Sequence, residues 1–163
     1  MVVLKNILVA TDFSEPSGVA LAYGRDLGRS SGATMHLLHV LQGVALGYGT
    51  ELGFTLPDLQ ADLEKASRRD LDNLLTADDR LTLKAVPIVE THANIAHGIT
   101  EYARKHAIDL IIVGTHGRGA VKHLLVGSVA ERVVRTAPCP VLTVRAVERE
   151  FIAPEPLVVV ATA

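Results

Sequence analysis

Apolar residues in this chain follow two rhythms. Short runs such as Ile7-Leu8-Val9-Ala10 and Leu110-Ile111-Ile112-Val113 alternate with longer stretches in which apolar positions return every three or four residues. The runs are too short for helices and rich in Ile and Val, which predicts strands buried on both faces; the slower rhythm predicts amphipathic helices. Lys5 to Thr11, Ala33 to Leu41, Leu81 to Glu90 and Asp109 to Val113 read as strands. Ser14 suits a helix N-cap and Pro16 its first turn, and that helix runs to about Arg29 with Val19, Tyr23 and Leu27 on one face. Ser30, Ser31 and Gly32 end it. A second helix spans Pro57 to Leu75, carried by Leu59, Leu63, Ala66, Leu71, Leu74 and Leu75, and a third is marked by Ile95, Ile99, Tyr102 and Ala103. Strand and helix in regular alternation imply an α/β open parallel sheet with helices on both faces. Pro87 cannot donate to a sheet ladder, so its strand belongs at an edge.

The strand ending at Val113 runs straight into glycine. Gly114, Gly117 and Gly119 follow, and His116, Arg118, Lys122 and His123 lie before Gly127 with no acidic residue among them. Gly127-Ser128 then opens a further helix, where Ser128 to Glu131 has the spacing of a capping box. A strand end, glycine amides, cations and a helix N-terminus are the parts of a phosphate site. The competing reading is a glycine turn before an ordinary capped helix, and Glu131 favours it, because a carboxylate in the first turn competes with phosphate for that helix end. Arg118 is the better phosphate clamp, since a guanidinium can bind two oxygens at once; Lys122 and His123 are secondary.

The spacing Gly114-x2-Gly117-x9-Gly127-Ser128 resembles the nucleotide-binding pattern of the universal stress protein family. Ile7 to Ser14 is similar to that family's opening strand and turn, and Pro140 to Val144 to its closing strand, so the likeness covers roughly residues 5 to 145. The resemblance implies a single doubly wound open parallel sheet of five strands in the order 3-2-1-4-5. Strands 1 and 4 then end side by side where the winding reverses, the place where such sheets bind ligands. It further implies a cofactor-binding set of Ala10, Thr11, Asp12, Val40, Val113, Gly114, Gly117, Arg118, Gly127, Ser128 and Val129. Asp12 would contact the nucleoside and Val40 would offer backbone groups to the adenine; the structural alternative for Asp12 is an Asx-turn or a helix cap. The ligand implied is ATP, or ADP or AMP, with Mg²⁺ or Mn²⁺ on the phosphates. Ala130 stands where some ATP-binding relatives carry a second hydroxyl. A homodimer through Val141, Leu142, Thr143 and Val144 is also implied, as is regulation of an unnamed protein partner. Slow ATP hydrolysis and a nucleotide-free interaction module are the alternatives.

Composition narrows this little further. The 163 residues suit one domain, 1–145, followed by a tail, 146–163, whose Leu157 to Val160 run would dock as an extra strand or else be disordered. Gln42 to Leu56 forms a long glycine-rich loop that either overhangs the site or merely connects. A net charge of −2 gives no general attraction to nucleic acid or to anionic membrane, so any anion site is local. No secretory leader or membrane-length run is evident and Cys139 is the single cysteine, which points to a cytoplasmic protein. Catalytic and metal-binding residues are not assigned. His36 and His39 point to opposite faces of a strand, and His92 and His97 have no matching cysteine or carboxylate constellation in the sequence pattern. There is no Walker A motif, no G-x-G-x-x-G after the first strand and no nucleophile elbow.

Overall fold

The computed structural model describes residues 3–43, 56–115 and 127–146. In chain order the elements are β1 (Asn6–Ala10), α1 (Glu15–Ser31), β2 (Thr34–Gln42), α2 (Leu56–Leu74), α3 (Ala77–Thr82), β3 (Val86–His92), α4 (Ile95–Lys105), β4 (Leu110–Gly114), α5 (Ser128–Thr136) and β5 (Val141–Val144). The five strands form one parallel sheet in the order β3-β2-β1-β4-β5, the order that the family resemblance implies. Pro87 does lie on the edge strand, paired with Leu37.

Strand alternation divides the core into two layers. Ile7, Val9, Met35, Leu37 and Ile112 face α1 and α2, packing with Ala20, Leu21, Leu71, Leu75 and Leu83. Leu8, Leu38, Val40, Ile111 and Val113 face the other way, onto Ile99, Tyr102, Ala103, Ala130 and Val133 of α4 and α5. Both faces of β1 are therefore covered, which explains its unbroken apolar run.

The most buried stripe of α1 is made of small residues, Ser17, Ala20, Gly24 and Gly28 together with Leu21, while Val19, Tyr23 and Leu27 flank it half-buried. A methyl at Gly24 would lie well inside contact distance of Val9 Cγ2, and one at Gly28 would be 2.9 Å from Leu83 Cδ2. The absent side chains let the helix axis lie flush on the sheet. Gly32 ends α1 with φ 69°, a left-handed cap that glycine adopts without strain.

Three expectations are corrected. The third strand begins at Val86, because residues 77–82 form α3, a short helix held by a capping box between Thr76 and Asp79. Leu81 is thereby 81% exposed, while Leu83 and Ala85 are buried. The apolar spacing of α2 does not mark one buried face: Leu71 and Leu75 enter the core, but Leu59 and Leu63 are exposed. That half of α2 lies along edge strand β3 through polar contacts, Gln60 Nε2 donating to Thr91 Oγ1 and Thr91 Oγ1 to Glu64 Oε1. Finally, the N-cap of α5 is Gly127, with Ser128 already inside the helix, so no Ser128–Glu131 capping box forms. Glu131 pairs instead with Arg135, one turn on.

One buried charge ties α1 to the α3 region. Asp79 has no exposed surface and accepts from Arg25 through both Nε and Nη2, while Arg25 Nη2 also donates to the Leu74 carbonyl. Burial pushes the Asp79 carboxyl up, but the hydrogen bonds from Arg25 and Thr76 outweigh it and hold the group below its usual range.

Two stability predictions follow from this packing. Gly24→Ala should destabilise the protein by about 1–2 kcal/mol in urea unfolding despite alanine's higher helix propensity, because overpacking against Val9 outweighs it. Asp79→Asn should cost about 3 kcal/mol near neutral pH, since it leaves a largely buried Arg25 without its counter-charge. With the folded carboxyl depressed, its contribution is present above the unfolded value of about 4 and is lost as pH falls through the folded one. The gap between wild type and Asp79→Asn in thermal melts should accordingly be constant above that range and narrow below it. A gap independent of pH would refute the assignment.

Candidate functional site

The crevice is built at the carboxyl ends of β1 and β4. Ala10 pairs with Val113 and with Leu38, so the chain leaves the sheet at Thr11-Asp12 and at Gly114 from neighbouring points. Of the residues singled out in the sequence, Ala10, Thr11, Asp12, Val113 and Gly114 are brought together here. Gly117 and Arg118, like the rest of the cationic loop, lie outside the described residues.

The turn after β1 is a closed set of hydrogen bonds. The Thr11 amide donates to the Leu38 carbonyl at 2.9 Å. The Thr11 hydroxyl accepts from the Phe13 amide at 3.0 Å and lies 3.0 Å from the Ser17 hydroxyl, so this side chain works inside the turn. Asp12 Oδ1 accepts from the Ser14 amide at 3.1 Å and from the Ser14 hydroxyl, an Asx-turn. Ser14 is the N-cap of α1 as expected, but its hydroxyl serves Asp12 and makes no cap bond. Phe13 sits at φ 64° and its ring lies 4.6 Å from that of His39. His39 Nδ1 in turn is 2.8 Å from the Thr11 carbonyl, where it can only donate. Ser14, Ser17 and His39 were not read as site residues. Their role depends on hydrogen bonds across the turn and from β2, which sequence spacing does not carry.

Gly114 is needed for closeness. A methyl on it would stand 2.9 Å from the carbonyl carbon of Pro16, so the first turn of α1 rests on the end of β4. The far end of the glycine segment returns to the same place. The Thr115 amide donates to the Val144 carbonyl at 2.7 Å, and the Thr115 carbonyl accepts from the Gly127 amide. Gly127 therefore spends its N–H on the frame. The amides that α5 directs outward are those of its first turn, at Ser128 and Val129, both exposed residues. Because Glu131 is turned to Arg135, it no longer caps that helix end. Val40 is buried on the α4 side, where a methyl at Gly98 would meet its Cγ1 at 3.0 Å.

A second cluster gathers at the start of α4, where the sequence pattern shows His92 and His97 without a carboxylate. Glu101, one turn after His97 on α4, supplies it: its Oε2 lies 3.3 Å from His92 Nε2 and 3.7 Å from His97 Nε2. The helical spacing His97-x3-Glu101 was the available signal.

With the geometry in place, comparison with known proteins identifies the class. The sequence model of the universal stress protein family matches residues 4–145. The chain is 34% identical over 146 residues to universal stress protein A homolog 1 of Coxiella burnetii, covering 86% of this chain and 95% of the relative. This chain belongs to the universal stress protein family. Among solved structures, that of hypothetical protein MJ0577 of Methanocaldococcus jannaschii superposes with a TM-score of 0.77 at 26% identity, covering 91% of this chain and 99% of that one. Two more distant structures show a nucleotide. A universal stress protein in complex with cAMP has a TM-score of 0.63 at 20% identity, with 90% and 100% of the two chains covered. One from Archaeoglobus fulgidus with dAMP has a TM-score of 0.57 at 16%, with 88% and 99% covered. At those identities the likeness to this chain is one of fold.

The two roles open to Asp12 separate by substitution. Asparagine can accept the same Ser14 bonds, so Asp12→Asn should melt within a degree or two of wild type, whereas Asp12→Ala loses the turn and about 1 kcal/mol. Equal melting of Asp12→Ala and wild type would show that the Asx-turn contributes nothing.

Proposed function

We propose that this protein binds an adenine nucleotide, ATP in the first instance, across the crevice between the Thr11-Asp12 turn and the Gly114/Gly127-Ser128 frame. The observation that carries the reading is convergence: the β1 turn and both described ends of the glycine segment meet at the point where the order of strands reverses. The donors suit the ligand. First-turn amides of α5 favour phosphate, and Arg118 and its cationic neighbours lie in the sequence between β4 and α5. The cAMP and dAMP of the distant relatives share an adenine and one phosphate, so those are the parts the crevice is expected to take first. A triphosphate would bring Mg²⁺ or Mn²⁺ with it.

The role we assign is regulatory: nucleotide occupancy alters a surface read by a protein partner, in the cytoplasm. Strand β5 supports a homodimer, since it is an edge strand whose Val141, Leu142 and Thr143 are only half-buried by their own chain. Val144, by contrast, is 1% exposed and belongs to the chain's own core. No helix among the described residues is long and apolar enough to cross a membrane.

The direct test is the nucleotide content of freshly purified protein, released by denaturation and identified by chromatography, with sedimentation velocity on the same sample. The chain has no Trp and three Tyr, so bound adenine would stand out in its ultraviolet spectrum. About one ATP per chain on a dimer is the expected result. Arg118→Ala should weaken ATP about 10- to 100-fold in calorimetric titration and leave adenosine unchanged, which is the loss of one charge-assisted contact. Protein that arrives empty and shows no thermal shift at millimolar ATP would defeat the proposal.

A further inference from the structure

We propose that His92, His97 and Glu101 form a binding site for one divalent cation of the zinc class, separate from the nucleotide crevice. The three donor atoms all lie within 4.8 Å of one another. A tetrahedral zinc with ligands at about 2.0–2.1 Å holds donors about 3.3 Å apart. The His92–Glu101 and His97–Glu101 separations of 3.3 and 3.7 Å are already near that spacing. The two imidazoles converge on the same oxygen, Oε2, from different elements, with rings 4.8 Å apart and tilted by 53°. Lys105 takes the other oxygen, Oε1, at 2.8 Å. The carboxylate is thus held by one oxygen and directs the second at the histidines, an arrangement in which a single ligand atom is offered to a cation.

The cluster is backed by packed structure. His92 ends β3, where its carbonyl accepts from the Gly43 amide at 3.2 Å, and its Cβ would be 3.1 Å from a methyl at Gly98. His97 and Glu101 share one face of α4, four residues apart. Two neutral imidazoles, borderline ligands, beside one hard carboxylate suit Zn²⁺, Co²⁺ or Ni²⁺ above Mg²⁺ or Ca²⁺. Three protein ligands leave a position for water, so the site is open and weaker than a closed four-ligand centre.

One contact sets the terms of binding. The Asn94 amide donates to His92 Nδ1 at 3.1 Å, which leaves the neutral ring's proton on Nε2, directed at Glu101. A cation on Nε2 moves that proton to Nδ1, and the Asn94 amide must turn away. Binding therefore rearranges the β3–α4 turn.

The test is a titration of nucleotide-free protein with Co²⁺, so that its outcome is independent of the nucleotide reading. One equivalent should bind with visible d–d bands, and Zn²⁺ should displace it. His97→Ala, at an exposed position, and Glu101→Gln, at a half-buried one, should each weaken binding on the order of tenfold or more. The amide signal of Asn94 in ¹H–¹⁵N spectra should shift on Zn²⁺ addition in wild type and not in the double variant His97→Ala/Glu101→Gln. Co²⁺ binding that is absent, or equally tight in the double variant, would overturn the site; so would binding without a change at Asn94.

Discussion

Much of this structure depends on how closely α1 approaches the sheet. Three glycines permit it: Gly24 under Val9, Gly28 against Leu83, and Gly114 beneath Pro16. The first sets the helix on the sheet surface, the second lets it close on the segment after α3, and the third brings its first turn onto the end of β4. Because α1 starts immediately after the β1 turn, its depth fixes where Ser14 and Ser17 stand, and through them Thr11 and Asp12. The crevice is an outcome of backbone proximity more than of any one reactive side chain. A methyl at Gly114 would press on peptide atoms rather than on a flexible side-chain tip, so the contact has little room to relax.

The same architecture explains what was legible in the sequence. Strands β1 and β4 are buried on both faces, and such strands write themselves as apolar runs whatever their neighbours are. Pro87 marked the edge because a missing amide proton is a local property. Gly114 and Gly127, picked out by their spacing, stand at the two described ends of the glycine segment, which a Gly127–Thr115 hydrogen bond brings together. Other features depended on distant partners. Leu81, Leu83 and Ala85 alternate as a strand would, yet the chain there is turned by α3, and its cue was only Thr76 three residues before Asp79. The burial of Asp79 is decided by Arg25, 54 residues away, a pairing no local pattern announces. Leu59 and Leu63 kept helical spacing but ride on the polar rim of β3, so periodicity overstated their burial.

The α5 terminus shows how a sequence motif can name the right place with the wrong atoms. Ser128 and Glu131 have capping-box spacing, but the frame bond from Gly127 to Thr115 moves the cap one residue back. Two consequences follow. Gly127 is committed to closing the segment, and Glu131, free to seek Arg135, stops competing for the helix end. The objection that a first-turn carboxylate would repel phosphate is thereby weakened by the fold itself, since the i,i+4 partner draws that charge along the helix.

A second constraint lies at the start of α4. Gly98 is the point where this helix touches both Val40, beside the crevice, and His92, at the tip of β3. The Gly43 amide joins the end of β2 to the same histidine. Any rearrangement of the β3–α4 turn is consequently in direct contact with the strand end expected to meet adenine. Contact alone is not regulation: linkage between two ligands requires that each bind differently to two arrangements of the shared element, and the effect is then reciprocal. The β3–α4 turn has a physical basis for two arrangements, because the Asn94 amide can hold its bond to His92 only while Nδ1 lacks a proton. Ligation of that ring through Nε2 would remove the bond, and the packing at Gly98 leaves α4 and Val40 to absorb the change.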